Sequence, residues 1–290
     1  MDVLLKRIFS LSVLVVFFLQ PVIASPIAHP LVAGSAVSLK ALDAQHVFQS
    51  FYAYRKIGIA VSEGSEINRD RLELPHMAIR YGEEGQNSVA LFHPVKPYRT
   101  VDGVERFLVM VEIVGLEDDG SMKYCHGCAS DVELFAFKRE GGGYKLISST
   151  EAGTVFGGAY GTTAIDLNEL RIQQIGSNTM GFLYETGFTN QGVTETTLML
   201  VALHEDKPIK VVTVTGDDGY SFDNSGMYGE DALESYAYDG QYRLIPSSGE
   251  LYSIAIDCTG SKPDANGKVQ PYNQTEIYRY LSDKGIYIKQ

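Results

Sequence analysis

Cys125-His126-Gly127-Cys128 is the sharpest local motif in the sequence, and Cys-x-x-Cys supports several kinds of chemistry. A thiol–disulfide exchange catalyst sets the first thiol against a helix N-terminus, which lowers its pKa. Here a polar loop, Leu116 to Lys123, leads in and a strand-like run, Val132 to Phe137, leads out. Zinc needs about four ligands, and beyond His126 the motif offers none; there is no second Cys-x-x-Cys. Covalent haem attachment needs His directly after the second Cys, where Ala129 stands. The favoured reading is a small structural disulfide between Cys125 and Cys128, formed in an oxidising compartment, with metal or redox chemistry as the lesser alternatives. Cys258, the third cysteine, reads as a buried small apolar residue or an exchange partner for the pair.

Acidic, Gly-containing loops recur at 117–120, 216–223 and 257–266. Asp217, Asp218, Tyr220 and Asp223 form the strongest of these as a binding surface, and calcium is the one cofactor such loops suggest. None matches the D-x-[DN]-x-[DN]-G pattern, and hairpin turns use the same residues for backbone reasons. No G-x-S-x-G, H-E-x-x-H or phosphate-binding Gly loop occurs, so no catalytic residue is assigned. A dispersed carboxylate pair of the glycosidase kind stays open. Tyr52, Tyr54, Tyr184, Tyr220, Tyr236, Tyr238 and Tyr278 fall at strand ends and loops, where Tyr serves either a binding surface or packing.

The elements that must position these residues are strands. Most of the chain alternates with period two and is punctuated by Gly, Asp and Asn; only Leu39 to Phe51 suits a short N-terminal helix. Three stretches repeat one order of features: Tyr-Gly, four apolar runs and a closing hairpin. The Tyr-Gly pairs are Tyr81-Gly82, Tyr160-Gly161 and Tyr228-Gly229, and the units span about 81–150, 160–215 and 228–290. The closing hairpins turn at Arg139 to Gly142, Glu205 to Pro208 and Ser282 to Gly285. Four antiparallel strands per unit is the blade pattern of a propeller. The expected class is therefore all-β with propeller-like repeats, with a β-trefoil or irregular β-sandwich as alternatives. Phe48 to Tyr54 and Ile57 to Val61 offer strands for part of a fourth unit.

Residues 1–24 read as a signal peptide: Lys6 and Arg7, the apolar run Ile8 to Leu19, Pro21, then Val22 and Ala24 before a cut ahead of Ser25. The run is too short to span a bilayer, so the protein is expected in the periplasm or secreted, with 25–290 as one domain. The 24 Lys and Arg against 36 Asp and Glu give −12; losing Lys6, Arg7 and Asp2 leaves 22 against 35, or −13. That balance repels nucleic acid and favours a basic partner.

Tyr124-Cys-His-Gly-Cys-Ala129, Glu133 to Lys138 and Gly142 to Leu146, with Gly181 to Tyr184 and Gln191-Gly192, resemble a group of exported bacterial proteins of uncharacterised function. These carry Cys-His-x-Cys-Ala before a β-hairpin. The resemblance covers roughly residues 120–205, has Tyr144 where the group usually carries an aromatic residue, often Trp, and lends no catalytic residue. The expected function is an exported binding protein, such as an inhibitor or immunity protein, acting on a basic protein or peptide of the envelope. An envelope-polymer hydrolase and a structural envelope component are the alternatives.

Overall fold

A computed structural model describes residues 37–52, 79–81, 88–117, 123–216, 219–229 and 232–290. The signal peptide, Tyr54, Ile57 to Val61, Gly82, Asp217 and Asp218 lie outside the described residues.

The described residues open with β1 (Ser38–Leu39) and α1 (Ala44–Phe51). The helix starts later than Leu39 because Asp43 caps it, its carboxylate accepting from the His46 amide at 2.9 Å. Phe48, expected also to begin a strand, is thus helical: with Ala44, Val47 and Phe51 it makes the buried face of α1. Then come β2 (Ile79–Tyr81), β3 (Ser88–Phe92), β4 (Lys96–Arg99), β5 (Glu105–Gly115), β6 (Asp131–Glu140) and β7 (Gly143–Ser149). They form one antiparallel sheet ordered β1-β7-β6-β5-β3-β2, with β4 also on β5. Gly141 and Gly142, both at positive φ, close the β6–β7 hairpin, as a two-residue turn between right-twisted strands requires.

A short hairpin follows, β8 (Gly158–Ala159) and β9 (Thr162–Thr163). The rest of the chain supplies β10 (Gln173–Gln174), β11 (Met180–Asn190), β12 (Val193–Leu203), β13 (Lys210–Thr213), β14 (Ser221–Asp223), α2 (Ser225–Tyr228), β15 (Ala237–Ile245), β16 (Ser253–Pro263), β17 (Val269–Pro271), β18 (Gln274–Leu281) and β19 (Ile286–Lys289).

Among the described residues the protein is all-β apart from two short helices. Three four-stranded antiparallel meanders stand in the chain: β3-β5-β6-β7, β10-β11-β12-β13 and β15-β16-β18-β19. They stack as layers because strand alternation gives each two faces. Val109, Val111, Phe135 and Phe137 pack under α1. From the opposite face of the first sheet, Leu108, Met110, Leu134 and Ala136 meet Phe182, Val201 and Leu203 of the second meander. On β12 the alternate residues Leu198, Leu200 and Ala202 meet Ile254, Ile256, Cys258 and Tyr278 of the third. The middle layer is therefore apolar on both faces. Among the described residues the stack does not close into a ring; β14 instead bridges β12 and β15, so the second and third meanders share one sheet.

The Tyr-Gly pairs do not mark equivalent places. Tyr81 lies in β2, Tyr160-Gly161 is the β8–β9 turn, and Tyr228-Gly229 ends α2. Their recurrence has separate local causes, notably Gly at positive φ in the last two.

Candidate functional site

The loop between β5 and β6 carries the Cys pair. The Cys125 and Cys128 sulfurs are bonded at 1.95 Å, and the Cys128 amide closes the turn on the Cys125 carbonyl at 3.0 Å. The β8–β9 turn docks on this loop through its backbone: the Tyr160 amide donates to the Cys125 carbonyl at 3.1 Å and the Gly161 amide to the Cys128 carbonyl at 2.9 Å. Position 161 requires Gly, since φ is +75° and a Cβ would stand 2.2 Å from the Lys123 carbonyl oxygen. Tyr160 itself sits at φ 53°, a cost that only a docked turn sustains for an aromatic residue.

Beneath the loop lies Glu112 of β5, 2% exposed. Its carboxylate accepts from Ser130 Oγ at 2.5 Å, His93 Nε2 at 2.8 Å and the Thr163 amide at 3.1 Å. Burial alone would raise this carboxyl's pKa, but the bonds from His93 and Ser130, the His93 charge and the Thr163 amide outweigh it and hold the group below its ordinary value. Glu112 is therefore ionised and only accepts, which places a proton on His93 Nε2. The arrangement is not a nucleophilic triad, because the Ser hydroxyl points at the carboxylate and not at the imidazole. It fastens β5, the residue after β3, the Cys loop and β9 to one buried charge.

On this frame stand exposed rings. Tyr124 is 60% exposed, Tyr160 41% and Phe188 49%. Tyr124 and Tyr160 lie 5.1 Å apart by ring centroid, Tyr160 and His126 5.1 Å, and His126 and Phe188 5.0 Å. Two of these residues come from the Cys loop, one from the β8–β9 turn and one from β11, so the first and second meanders together build the cluster. Folding usually hides such rings; four in mutual contact at the surface make a patch of the kind that recognises a partner.

The residues singled out in the sequence fare differently. Tyr220 is 4% exposed and belongs to the core between the second and third meanders, so it presents no ring to a ligand. Asp223 is exposed, but its carboxylate accepts from the Ser225 amide at 2.8 Å, which also lowers its pKa; it shapes the entry to α2. Among the described residues no three His, Cys, Asp or Glu side chains gather as metal ligands would. Cys258 is buried in the core, as its sequence setting suggests. Of the Tyr residues at strand ends, Tyr52, Tyr220, Tyr238 and Tyr278 are buried. Phe188 was the ring that sequence patterning hid: it alternates with Phe182 and Tyr184 as core strand residues do, but β11 runs on past the edge of the neighbouring layer.

Comparison of the chain with protein-family models, with curated proteins and with solved structures returns no match.

Proposed function

We propose that the protein is an exported binding module that takes a basic protein or peptide partner, in the manner of an inhibitor or immunity protein. The observation that carries this reading is the exposed cluster of Tyr124, His126, Tyr160 and Phe188 on a frame fixed by the Cys125–Cys128 bond and Glu112. Rigid aromatic residues lose little entropy on contact and dominate binding energy at interfaces. The net charge of −12 for the full chain repels polyanions and speeds encounter with a cationic partner. A disulfide on an exposed loop suits an oxidising compartment, the setting the leader-like first 24 residues imply. The three stacked meanders resemble blades, and a propeller-like array is the architecture in which we place the site.

Capture of envelope proteins on the immobilised mature chain, repeated with Tyr124→Ala/Phe188→Ala, tests the reading. A partner that the variant loses, and whose association slows as salt screens exposed charge within about 8 Å, fits it. Equal capture by the variant, indifference to salt, or catalytic turnover of an envelope polymer would overturn it.

A further inference from the structure

We infer that the ring cluster continues across the sheet as a stripe that grips an arginine side chain of the partner, with the Glu195 carboxylate as acceptor of the guanidinium. The inference deepens the binding reading above and rests on it.

Residues directly opposite one another in an antiparallel pair share a face. Phe188 of β11 opposes Glu195 of β12, Glu195 opposes Phe222 of β14, and Phe222 opposes Tyr238 of β15. Neighbouring strands lie about 4.8 Å apart, so one carboxylate stands between two Phe rings, a strand's width from each. At one end Phe188 abuts His126 of the Cys loop. At the other Phe222 stacks on Tyr236, centroids 4.7 Å apart and planes 10° apart, and on Tyr238 at 6.1 Å. Rings from the Cys loop, the middle meander and the third meander thus flank Glu195 on both sides, and the far end is closed at Tyr238, which is buried and has Lys262 Nζ 5.1 Å from its ring.

Glu195 is exposed, and among the described residues its side chain makes no hydrogen bond or ion pair. A strand carboxylate is ordinarily offset by a cross-strand Lys or Arg; here both cross-strand neighbours are Phe. Burial first, and then the Glu195 charge, raise the pKa of Tyr236.

An unpaired carboxylate among aromatic faces is complementary to one side chain above others. A guanidinium donates two parallel hydrogen bonds to a carboxylate while its flat, weakly hydrated faces lie on aromatic rings. Cation–π attraction adds to the charge pairing. An ammonium meets the carboxylate as a point charge and stacks less well, and a neutral ring such as a sugar can give the acid hydroxyl hydrogen bonds but no charge pairing.

The test is an NMR titration of the full mature chain, with Phe ring resonances assigned, against a blocked Gly-Gly-Arg-Gly-Gly peptide and its Lys and citrulline counterparts. Citrulline keeps the shape of Arg and removes its charge. The expected result is saturable movement of Phe188 and Phe222 with the Arg peptide, and about tenfold or greater weakening with citrulline or in Glu195→Gln. The Lys peptide should bind between the two. No ring movement up to the solubility limit of the Arg peptide, equal binding of citrulline or Lys, or unchanged binding in Glu195→Gln would overturn the assignment. Capture from the envelope separates the two readings. If Glu195→Gln keeps its partner while Tyr124→Ala/Tyr160→Asn loses it, the arginine site falls and the binding module stands. If both keep it, both fall. Asn is chosen at 160 because it tolerates the positive φ there.

Discussion

Arg106 of β5 holds Glu205, in the turn after β12, through two hydrogen bonds: Nε to Oε1 at 2.5 Å and Nη2 to Oε2 at 2.8 Å. The pair ties the first meander to the second beside the Ile209 amide, which donates to the Ser149 carbonyl at 2.9 Å. Arg106 is 9% exposed, so its charge depends on that partner. Arg106→Ala should cost about 1–3 kcal/mol, less than a fully buried pair because the Glu205 side chain is 44% exposed. A double-mutant cycle with Glu205→Gln in urea denaturation should show coupling of about 1 kcal/mol or more; additive losses would mean the pair contributes only packing.

Glu112 is the second tie. Glu112→Ala leaves the Ser130 hydroxyl, the Thr163 amide and His93 without their buried acceptor, and should cost about 2–4 kcal/mol. Its carboxyl is depressed in the folded state below the ordinary 4.5. The unfolded chain therefore takes up the proton first as pH falls, and the contribution of Glu112 is present above about 4.5 and lost as pH drops through the folded value. Acid unfolding of Glu112→Gln should begin from a lower stability and show a weaker dependence on pH below 4.5. Identical acid transitions for the two proteins would remove Glu112 as the anchor.

The Cys125–Cys128 ring is small, so the loss of loop-closure entropy it imposes on the unfolded chain is worth about 2 kcal/mol. Cys125→Ser/Cys128→Ser should remain folded, since the docked β8–β9 turn bonds to backbone carbonyls and not to sulfur. The rings above should loosen, seen as reduced near-ultraviolet circular dichroism from Tyr; the sequence has no Trp to mask it. Gly161→Ala is the sharper lesion, because its Cβ meets the Lys123 carbonyl at 2.2 Å. It should destabilise more than the double Ser variant, and the opposite order would mean that the turn does not depend on this docking.

Much of this fold was legible in the sequence because period-two alternation reports burial directly. The apolar runs 89–92, 107–114, 132–137 and 144–147 fall on β3, β5, β6 and β7, and the closing hairpin of each unit is in place. Local turn chemistry was legible too, since Gly141, Gly142 and Gly285 take positive φ. What escaped was placement. Alternation cannot say where a long hairpin outruns its neighbour, so Tyr220 was expected on a binding loop and is core, while Phe188, which no motif singled out, is exposed. The Tyr-Gly pairs looked like repeat markers because Gly ends turns of several kinds. The buried Glu112 gave no signal at all: in sequence it is one acid within an apolar strand, and its partners come from 18 to 51 residues away.

His204, which ends the apolar run of β12, is 7% exposed. Burial, helped by the Lys207 charge and to a lesser degree by Lys210, pushes its pKa from 6.5 down to about 4, against the opposing pull of Glu250 and Asp206. Between those values the unfolded chain binds a proton that the folded chain refuses. Stability therefore rises with pH across that window, and it is lost as pH falls from 6.5 toward 4. The loss amounts to roughly 2–3 kcal/mol in all, with a slope approaching about 1 kcal/mol per pH unit near pH 5.5. The carboxylates held low, Glu112 among them, titrate beneath this range, and Asp131 and Glu185, which burial raises, act alike in both proteins, so the difference between native chain and variant isolates His204. Unfolding free energies from urea denaturation at pH 6.5, 6.0, 5.5 and 5.0 should fall for the native chain and stay nearly level for His204→Leu. Parallel curves for the two proteins would show that the imidazole accepts its proton in the folded state. The variant would then differ from the native chain by a constant packing term alone.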